Sequence, residues 1–568
     1  MSRLRGPRAR ARGLVLALLL VAAARPAIAQ VPSESLTGAR IAAVRVELLT
    51  PPPDPQAARN LEGAVRKAFR VYPGDRYDRT RVDFGTSRAR GVSGVSGIDV
   101  RVEFADVGGV DLVVVVSTAA VTASPSFADR VRFIDDGEKL LKAMVAIKGA
   151  VPVSGNQWFG NGPTLTEFSP YGRFTGGNGP NTAYDLSPKI GLAGTFPIVR
   201  GDTPGYAYGH VGYLMAGIAG QANGTPDAKY SGGWEEAYAG IVGGGVTASG
   251  TAWQYNVSYG LQSYCIGGAM LMCQIASSSG ERAGDFTWPR WSGRNFLKAQ
   301  VRVNNTTADG FHFEPNDFPR SRTRIAGLNA QHDRGYGATY GVTWLTVLGS
   351  DSRYYLPSGA TLPRDGMRAL QLRAGYTPAP GRPGPVGKVE WARQTNASFE
   401  MSAIGAGVEG GWSFARTKWA PTITYRWTTL GGDDPSTERF ERWDLFYSGG
   451  DIDTWVQGQL MKNIHYNSNV RMQRVLGRLR LSPKWRFTGS FSDFRANELN
   501  NLGGVVSTLA GEDIGRELLF VSEHTLSRAV YIRVTQGTLW PGSGVRSTLP
   551  APVASPWMVG VVSLNIQY

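Results

Sequence analysis

Cysteine and histidine are scarce in this chain of 568 residues, which has two cysteines and five histidines. No cysteine-rich metal spacing, no G-x-S-x-G and no H-E-x-x-H is present, so the common nucleophile and zinc-hydrolase signatures are missing. No zinc-finger or RNA-binding signature occurs either. We therefore predict a protein that is not an enzyme, uses no metal or other cofactor and does not bind nucleic acid.

Long apolar runs are also missing beyond the first residues, although a transmembrane helix needs about 20 of them. The start, MSRLRGPRARARGLVLALLLVAAARPAIAQ, combines many arginines, an apolar run from Leu14 to Ala24 and the small residues Ala27 and Ala29. This pattern predicts a secretory signal peptide, residues 1–29, that is cleaved after Ala29. An uncleaved membrane anchor is the alternative interpretation.

If the chain is exported, it loses the charges of its signal peptide, and its two cysteines meet an oxidising compartment. The signal carries six arginines and no acid, so the formal charge of +15 falls to +9 in the mature chain. A basic chain outside the cytoplasm favours anionic partners. Cys265 and Cys273 in YCIGGAMLMCQ predict a local disulfide in an oxidising compartment. A pair of unbridged loop thiols is the alternative.

Alternation with a period of two recurs through most of the chain. In TAWQYNVSYGLQSY, from Thr251 to Tyr264, aromatic and apolar residues occupy one face of a strand and hydrogen-bonding residues the other. The apolar face meets either a protein core or lipid. Many such strands with aromatic residues on the apolar face favour lipid.

Basic residues recur on the polar face of these strands, which would point into a barrel. The segments RVLGRLRLSPKWRFTGSFSDF, RNFLKAQVRV, RALQLRAGYT and APTITYRW all show this arrangement. The predicted lumen-lining basic residues, which would bind a substrate, are Arg474, Arg478, Arg480, Lys484, Arg486, Lys298, Arg302, Arg373 and Arg426.

The fold predicted from these strands is mainly β, a transmembrane antiparallel barrel spanning residues 142–568. With about 9 to 11 residues per membrane crossing plus turns and loops, this length predicts about 16 to 18 strands, and barrels of that size leave an aqueous lumen. The chain ends WMVGVVSLNIQY, in which Met558, Val562, Leu564, Ile566 and Tyr568 share one face. Such a last strand with a terminal aromatic residue is typical of outer-membrane barrels.

A small α+β domain is predicted in front of the barrel, at residues 38–119, with residues 120–141 as a linker. The order is strand, helix, helix, strand, strand; Asp54 caps the first helix, and a Gly108-Gly109 turn joins the last two strands. This order, with YPGDRYD between the helices, resembles a polypeptide-transport-associated (POTRA) domain of the periplasm. The resemblance implies a periplasmic protein partner, which could dock at the sheet edge by strand addition.

The last third of the chain carries a second resemblance. Its segment FYSGGDIDTWVQGQLMKNIHYNSNVRMQRVLGRLRLSPKWRFTGSFSDFRANE, from Phe446 to Glu498, resembles the alginate export family of outer-membrane barrels. The shared features are a Y-x-G-G-D loop, W-x-Q-G, an N-x-N pair at Asn467 and Asn469, and an aromatic strand ending D-F-R. The resemblance implies an 18-stranded barrel with an arginine-rich lumen for an anionic exopolysaccharide.

Together these observations predict an outer-membrane channel that exports an anionic exopolysaccharide, alginate-like, or another anionic solute. The alternative for the arginines is pairing with inward acids such as Glu390 or Glu400, which would only rigidify the barrel. A POTRA-barrel protein translocator or insertase is the second hypothesis. Resemblance to that class would imply an arginine-bearing loop inside a 16-stranded barrel, and PIVRGD at Arg200 is similar to it but lies at the wrong end of the barrel. A structural or adhesive barrel closed by its loops is the third.

Overall fold

The structure is a computed structural model of the whole chain. It describes residues 38–119, 130–155, 181–201, 203–220, 228–273, 275–276, 282, 286–287, 291–318, 320–356, 358–449, 452–455, 458–461, 465, 467–500, 509–527, 529–546 and 556–568. The predicted signal peptide lies outside the described residues.

Residues 38–119 form an α+β unit with the predicted element order, and we call it the N-terminal domain. Its elements are β1 (Ile41–Leu48), α1 (Pro55–Phe69), α2 (Arg79–Arg90), β2 (Gly97–Phe104) and β3 (Val110–Ser117). The strands form one sheet in the order β1-β3-β2, with β1 parallel to β3. Asp54 caps α1 as predicted, accepting from the backbone N–H groups of Gln56 and Ala57. Apolar residues from both helices and the sheet pack into one core.

The rest of the described chain is mainly antiparallel strand. The strands are β4 (Arg132–Asp135), β5 (Leu140–Gly155), β6 (Asn181–Val199), β7 (Gly205–Gly220), β8 (Lys229–Val246), β9 (Ala252–Ser263), β10 (Ser292–Val303), β11 (Thr306–Glu314), β12 (Arg324–His332), β13 (Gly337–Gly349), β14 (Arg353–Tyr355), β15 (Thr361–Pro363), β16 (Met367–Thr377), β17 (Gly384–Asn396), β18 (Ala403–Ser413), β19 (Thr422–Leu430), β20 (Val470–Ser482), β21 (Trp485–Arg495), β22 (Asp513–Ser527), β23 (Val530–Pro541) and β24 (Trp557–Gln567). A single helical turn, α3 (Ser543–Arg546), precedes β24. No helix within the described residues is both long and apolar enough to cross a bilayer.

Within the described residues, β5–β13 and β16–β24 form a closed barrel of 18 strands, and β24 pairs with β5 to close it. The count confirms the upper end of the predicted range. The hairpin β14–β15 stands apart in the loop between β13 and β16.

The predicted linker, residues 120–141, is wrong in its second half. Residues 132–135 form β4, which pairs with the start of β5, and β5 itself begins at Leu140 rather than at Lys142. β24 pairs with β5 only from Ala146 onward. β4 therefore supplies hydrogen-bond partners to the first residues of β5, which β24 does not reach.

The alternation read from the sequence gives the barrel its two surfaces. On β9, Tyr259 is 57% exposed on the outer face, whereas its neighbour Ser258 on the inner face is 2% exposed. The same split holds on β10, β16, β19, β20 and β21, where the predicted apolar residues point outward and the predicted polar ones inward. The outward face of β24 carries Met558, Val562 and Leu564, as predicted.

Candidate functional site: a chamber inside the barrel

The N-terminal domain lies inside one mouth of the barrel, at the end where most neighbouring strands are joined by short turns. Its helix α2 packs against the inner wall, where Phe84 contacts Leu140, Met144 and Ala193 and lies 5.9 Å from the ring of Tyr208. Nine of the twelve residues of α2 are buried although most of them are polar. A polar helix is buried on most sides only where neighbouring elements satisfy its groups. Here Asp83 finds its partner on the barrel wall, whereas Arg88 donates to the carbonyls of Ala68 and Phe69 within the N-terminal domain.

Buried ion pairs join the N-terminal domain to the barrel. Lys142 Nζ lies 2.6 Å from Asp83 Oδ2, and both side chains are less than a tenth exposed. Burial by itself would raise the pKa of Asp83, but Arg79 and Lys142 together hold that pKa below its ordinary value.

Three more pairs link the same two parts around the mouth. Arg40 Nε and Nη2 donate to the two oxygens of Asp333 at 2.7 and 2.6 Å. The remaining two pairs are Arg302 with Asp75, and Arg480 with Asp106. Bidentate and buried contacts of this kind fix a geometry more firmly than exposed pairs do.

The described residues of two long loops fold into the barrel from the opposite end and form what we call the roof. They connect β9 to β10 (264–291) and β19 to β20 (431–469), and they are hydrogen-bonded to each other: Tyr447 N donates to Leu271 O at 3.1 Å, Cys273 N to Tyr447 O at 2.9 Å and Trp455 N to Gly268 O at 2.9 Å. Their apolar residues belong to one large buried cluster with the inner wall.

The predicted disulfide between Cys265 and Cys273 is formed. It closes the tip of the first roof loop, and the five residues Ile266, Ala269, Met270, Leu271 and Met272 inside it are buried. The cross-link therefore holds an apolar loop tip across the lumen, where loop entropy would otherwise oppose its ordering.

A chamber of about 470 Å³ lies between the N-terminal domain and the roof. The N-terminal domain contributes Arg40, Arg76 and the Gly108-Gly109 turn, and the roof contributes Gly267 and Gly268. Eight basic and five acidic side chains line the chamber, an excess of three positive charges. A smaller cavity of about 240 Å³, which includes Lys298 and Arg302, lies beside α2.

Gly108 brings the N-terminal domain against the wall arginines. Its φ of +87° suits glycine, and a Cβ there would lie 3.0 Å from Arg478 Nη1. The turn can approach Arg478 this closely because it carries no side chain. Arg478 also pairs with Asp453 of the roof. The N-terminal domain, the barrel wall and the roof therefore meet at this one guanidinium group.

The sequence-predicted basic residues do not form one group. Arg478, Arg486 and Arg373 line the chamber, whereas Arg480 and Arg302 face the N-terminal domain. Lys484 lies in the turn between β20 and β21, where its carbonyl accepts from Thr525 N at 3.1 Å, so its placement on a strand facing the lumen is wrong.

The two remaining arginines lie on the inner wall near the roof. Arg474 donates to Ser492 at 3.0 Å. Arg426 donates to Glu409 at 2.6 Å and lies 5.0 Å from the ring centre of the buried Trp455. Trp455 is part of the roof, so cation–π contact ties the roof to the wall.

Most of these arginines have carboxylate partners, as the alternative interpretation of the sequence held, but the partners differ from those it named. Arg426 pairs with Glu409, Arg478 with Asp453 and Arg486 with Glu523. Glu390 instead accepts from Gly268 N–H and from Gln371, and Glu400 lies near Arg439 among exposed residues. Glu409 and Glu523 stand directly opposite Arg426 and Arg486 on the adjacent strands, whereas Asp453 reaches Arg478 from the roof. Alternation identifies the inner face but not the strand register or the loop contact that supplies the partner.

Sequence reasoning missed the functional residues that come from outside the strands. Arg40 and Arg76 belong to the N-terminal domain, and Asp453 and Trp455 belong to a roof loop. One sequence signal for the position of this domain was present in RTRVDFGTSRAR, the sequence of α2. A helix that covers a sheet and faces water on its other side has an apolar stripe, and α2 lacks one.

The comparisons with known proteins show similarity of structure only. No family model matches this sequence, and no curated protein matches it. Similar solved structures are a double variant of OccD1 (OprD), 10% identical; OccK5 (OpdH) of Pseudomonas aeruginosa, 9% identical; and OpdK of Pseudomonas aeruginosa with vanillate, 11% identical. Each similarity covers 75% of this chain and 95%, 98% and 98% of the other chain, respectively, with a TM-score of 0.43 in all three. At these identities and scores, the similarities carry no conclusion about function.

Proposed function

We propose that this chain is an outer-membrane channel for anionic solutes, closed in the present state by its N-terminal domain and its roof. The observation that carries the proposal is a positively charged chamber inside an 18-stranded barrel whose outer face is apolar. Large exposed apolar surfaces are unusual on soluble monomers, and a belt of them around a closed barrel matches a bilayer.

The aromatic residues of the outer face support the placement in a membrane. Tyr184, Trp234, Tyr340, Trp412 and Trp485 are all more than a third exposed on barrel strands. Rings with an apolar body and a polar edge suit the two interfaces of a bilayer.

The excess of basic groups gives the chamber its preference for anions. An anion that enters a narrow lumen loses water, and guanidinium groups replace part of that hydration with charge-assisted hydrogen bonds. Several moderate sites along a lumen allow both entry and exit.

Export of an alginate-like exopolysaccharide is the finer form of this proposal. A chamber of about 470 Å³ lies in the range of roughly 300 to 1,000 Å³ that holds a single small ligand. A polymer therefore passes only if the N-terminal domain leaves the mouth. We place that domain, with its POTRA-like element order, on the periplasmic side, since it lies at the end where short turns join most strands.

Single-channel recording in planar bilayers tests the proposal. We expect small or rare openings from the mature chain and large, anion-selective openings from a variant that lacks residues 38–119. Polyuronate added to one side should block the truncated form. Cation selectivity, or no current from a truncated barrel that is shown to be folded by its heat-dependent mobility on gels, would rule out the anion channel. Passage of unfolded polypeptide would instead favour the POTRA-barrel translocator.

A further inference from the structure

Two arginines of the chamber, Arg76 and Arg373, differ in their partners from Arg40, Arg478 and Arg486. Arg76, on the N-terminal domain, donates to the backbone carbonyls of Gly38, at 2.9 Å, and Gly267. Arg373, on β16, donates to Thr343 at 2.6 Å and to Gln371 and Asn329 at 2.7 Å.

All of these acceptors are neutral oxygens. Within the described residues, neither guanidinium group forms an ion pair with a carboxylate. Glu390 lines the same part of the chamber, but its oxygens accept from Gly268 N–H and Gln371.

Three other arginines of the chamber are already neutralised by carboxylates. Arg40, Arg478 and Arg486 each contact a carboxylate. An anion that binds there must displace a carboxylate and leave it buried without its partner, which is costly. An anion that binds Arg76 or Arg373 displaces only neutral oxygens, which keep other hydrogen-bonding options.

The two neutral-partnered arginines meet at one point of the roof. Arg76 donates to the carbonyl of Gly267, and a Cβ at position 267 would lie 2.3 Å from Arg373 Cδ and 2.9 Å from Arg373 Nε. Gly267 has a φ of +52°. A side chain there would collide with Arg373, so the glycine lets the backbone of the roof loop lie directly against the side chains of Arg373 and Glu390, whose Oε1 would be 3.0 Å from that Cβ.

We propose that Arg76 and Arg373 together form a binding site for the carboxylate group of a small solute. This inference rests on the proposed channel function and names its substrate class: a carboxylic acid of the size of one or two sugar rings, held in the chamber. A guanidinium group matches a carboxylate through two parallel hydrogen bonds, which favours carboxylates over monatomic anions.

The site joins two parts of the molecule that must separate for the channel to open. Arg76 moves with the N-terminal domain, and Arg373 is fixed to the wall. A carboxylate held by both therefore binds the closed state more tightly than the open one, and by linkage it stabilises the docked domain.

Isothermal titration calorimetry of the refolded mature protein tests the site, with glucuronate as the probe and glucose as its uncharged counterpart. Arg76→Gln and Arg373→Gln should each weaken glucuronate binding about tenfold or more, the effect of losing a charge-assisted hydrogen bond. Arg373→Lys keeps the charge but loses the two parallel N–H donors of the guanidinium group. Its affinity for glucuronate should lie between those of the wild type and Arg373→Gln. The matched control is Arg368→Gln, which removes the same charge from an exposed position on the same strand.

The outcomes separate this site from the channel itself. Unchanged affinity in Arg76→Gln and Arg373→Gln, equal binding of glucose, or no heat with glucuronate would overturn the site, even where the truncated barrel conducts anions. Weakened binding in both variants, together with a folded truncated barrel that conducts nothing, would leave the site standing and refute the channel. Heat-dependent mobility on gels verifies that each variant is folded.

Discussion

The ion pair between Lys142 and Asp83 offers a direct way to test whether the N-terminal domain closes the barrel. Lys142→Met keeps the length of the side chain and removes its charge. The pair is buried, with 2.6 Å between Nζ and Oδ2, and breaking a buried pair costs about 3 to 5 kcal/mol. Asp83 keeps its contact with Arg79 at 3.0 Å, so we expect the lower end, about 3 kcal/mol.

A loss of this size changes the ratio of open to closed channels by about a hundredfold, since each 1.4 kcal/mol is a factor of ten. Single-channel recording should show it as a rise in open probability at unchanged open conductance. Lys139→Met is the matched control: Lys139 lies three residues earlier, is exposed, and its nitrogen is 4.0 Å from Asp136. An exposed pair contributes about 0 to 1 kcal/mol, so this variant should behave as wild type.

Two results would refute the reasoning. If Lys142→Met opens no more often than wild type while removal of residues 38–119 opens the barrel, the pair does not hold the domain in place. If Lys139→Met opens as often as Lys142→Met, the effect comes from charge in general rather than from the buried contact.

Three further predictions concern single groups. Burial raises the pKa of Asp111 to about 6 despite nearby Arg45. The stabilising contribution of the protonated group is therefore complete below about pH 4 and is lost as the pH rises through 6. Asp111→Asn should increase the hydrogen-exchange protection of β3 by up to roughly 3 kcal/mol at pH 7.5 and leave it unchanged at pH 4. Asp444→Ala leaves the buried Arg364 without its carboxylate, which should destabilise the roof by about 3 to 5 kcal/mol, seen as lost protection of its amides. Replacing both cysteines by alanine should loosen the roof by roughly 2 to 3 kcal/mol, measured as noisier and larger currents in the truncated barrel.

The barrel could be predicted from the sequence because its physical cause is local. A strand with lipid on one side and a polar lumen on the other needs alternating residues, and Leu297 to Val303 or Trp485 to Phe491 show that alternation without any knowledge of their neighbours. The α+β order of the N-terminal domain was equally accessible, because caps, turns and short periodic runs define it.

The position of the N-terminal domain could not be predicted in this way. It depends on contacts between residues far apart in sequence, such as Arg40 with Asp333 and Asp75 with Arg302. The same limit applies to the charge of the lumen: the sequence places Arg478 on the inner face, but its partner Asp453 comes from a loop without periodicity. Strand patterns assign faces, whereas the register of neighbouring strands and the contacts of the loops decide which charges are neutralised.

The strand β4 has a consequence for how far the N-terminal domain can travel. Because β4 is hydrogen-bonded to β5, the chain is anchored to the wall from about residue 130 onward, and only the segment from residue 119 to 130 connects that anchor to the domain. Covalent geometry limits such a segment to about 40 Å when fully extended. A domain released from the mouth therefore stays within about 40 Å of its attachment point. For such a short tether, the effective concentration of the domain at the mouth is in the millimolar range. Reclosure is then a first-order step whose rate does not depend on how many copies of the protein the membrane contains.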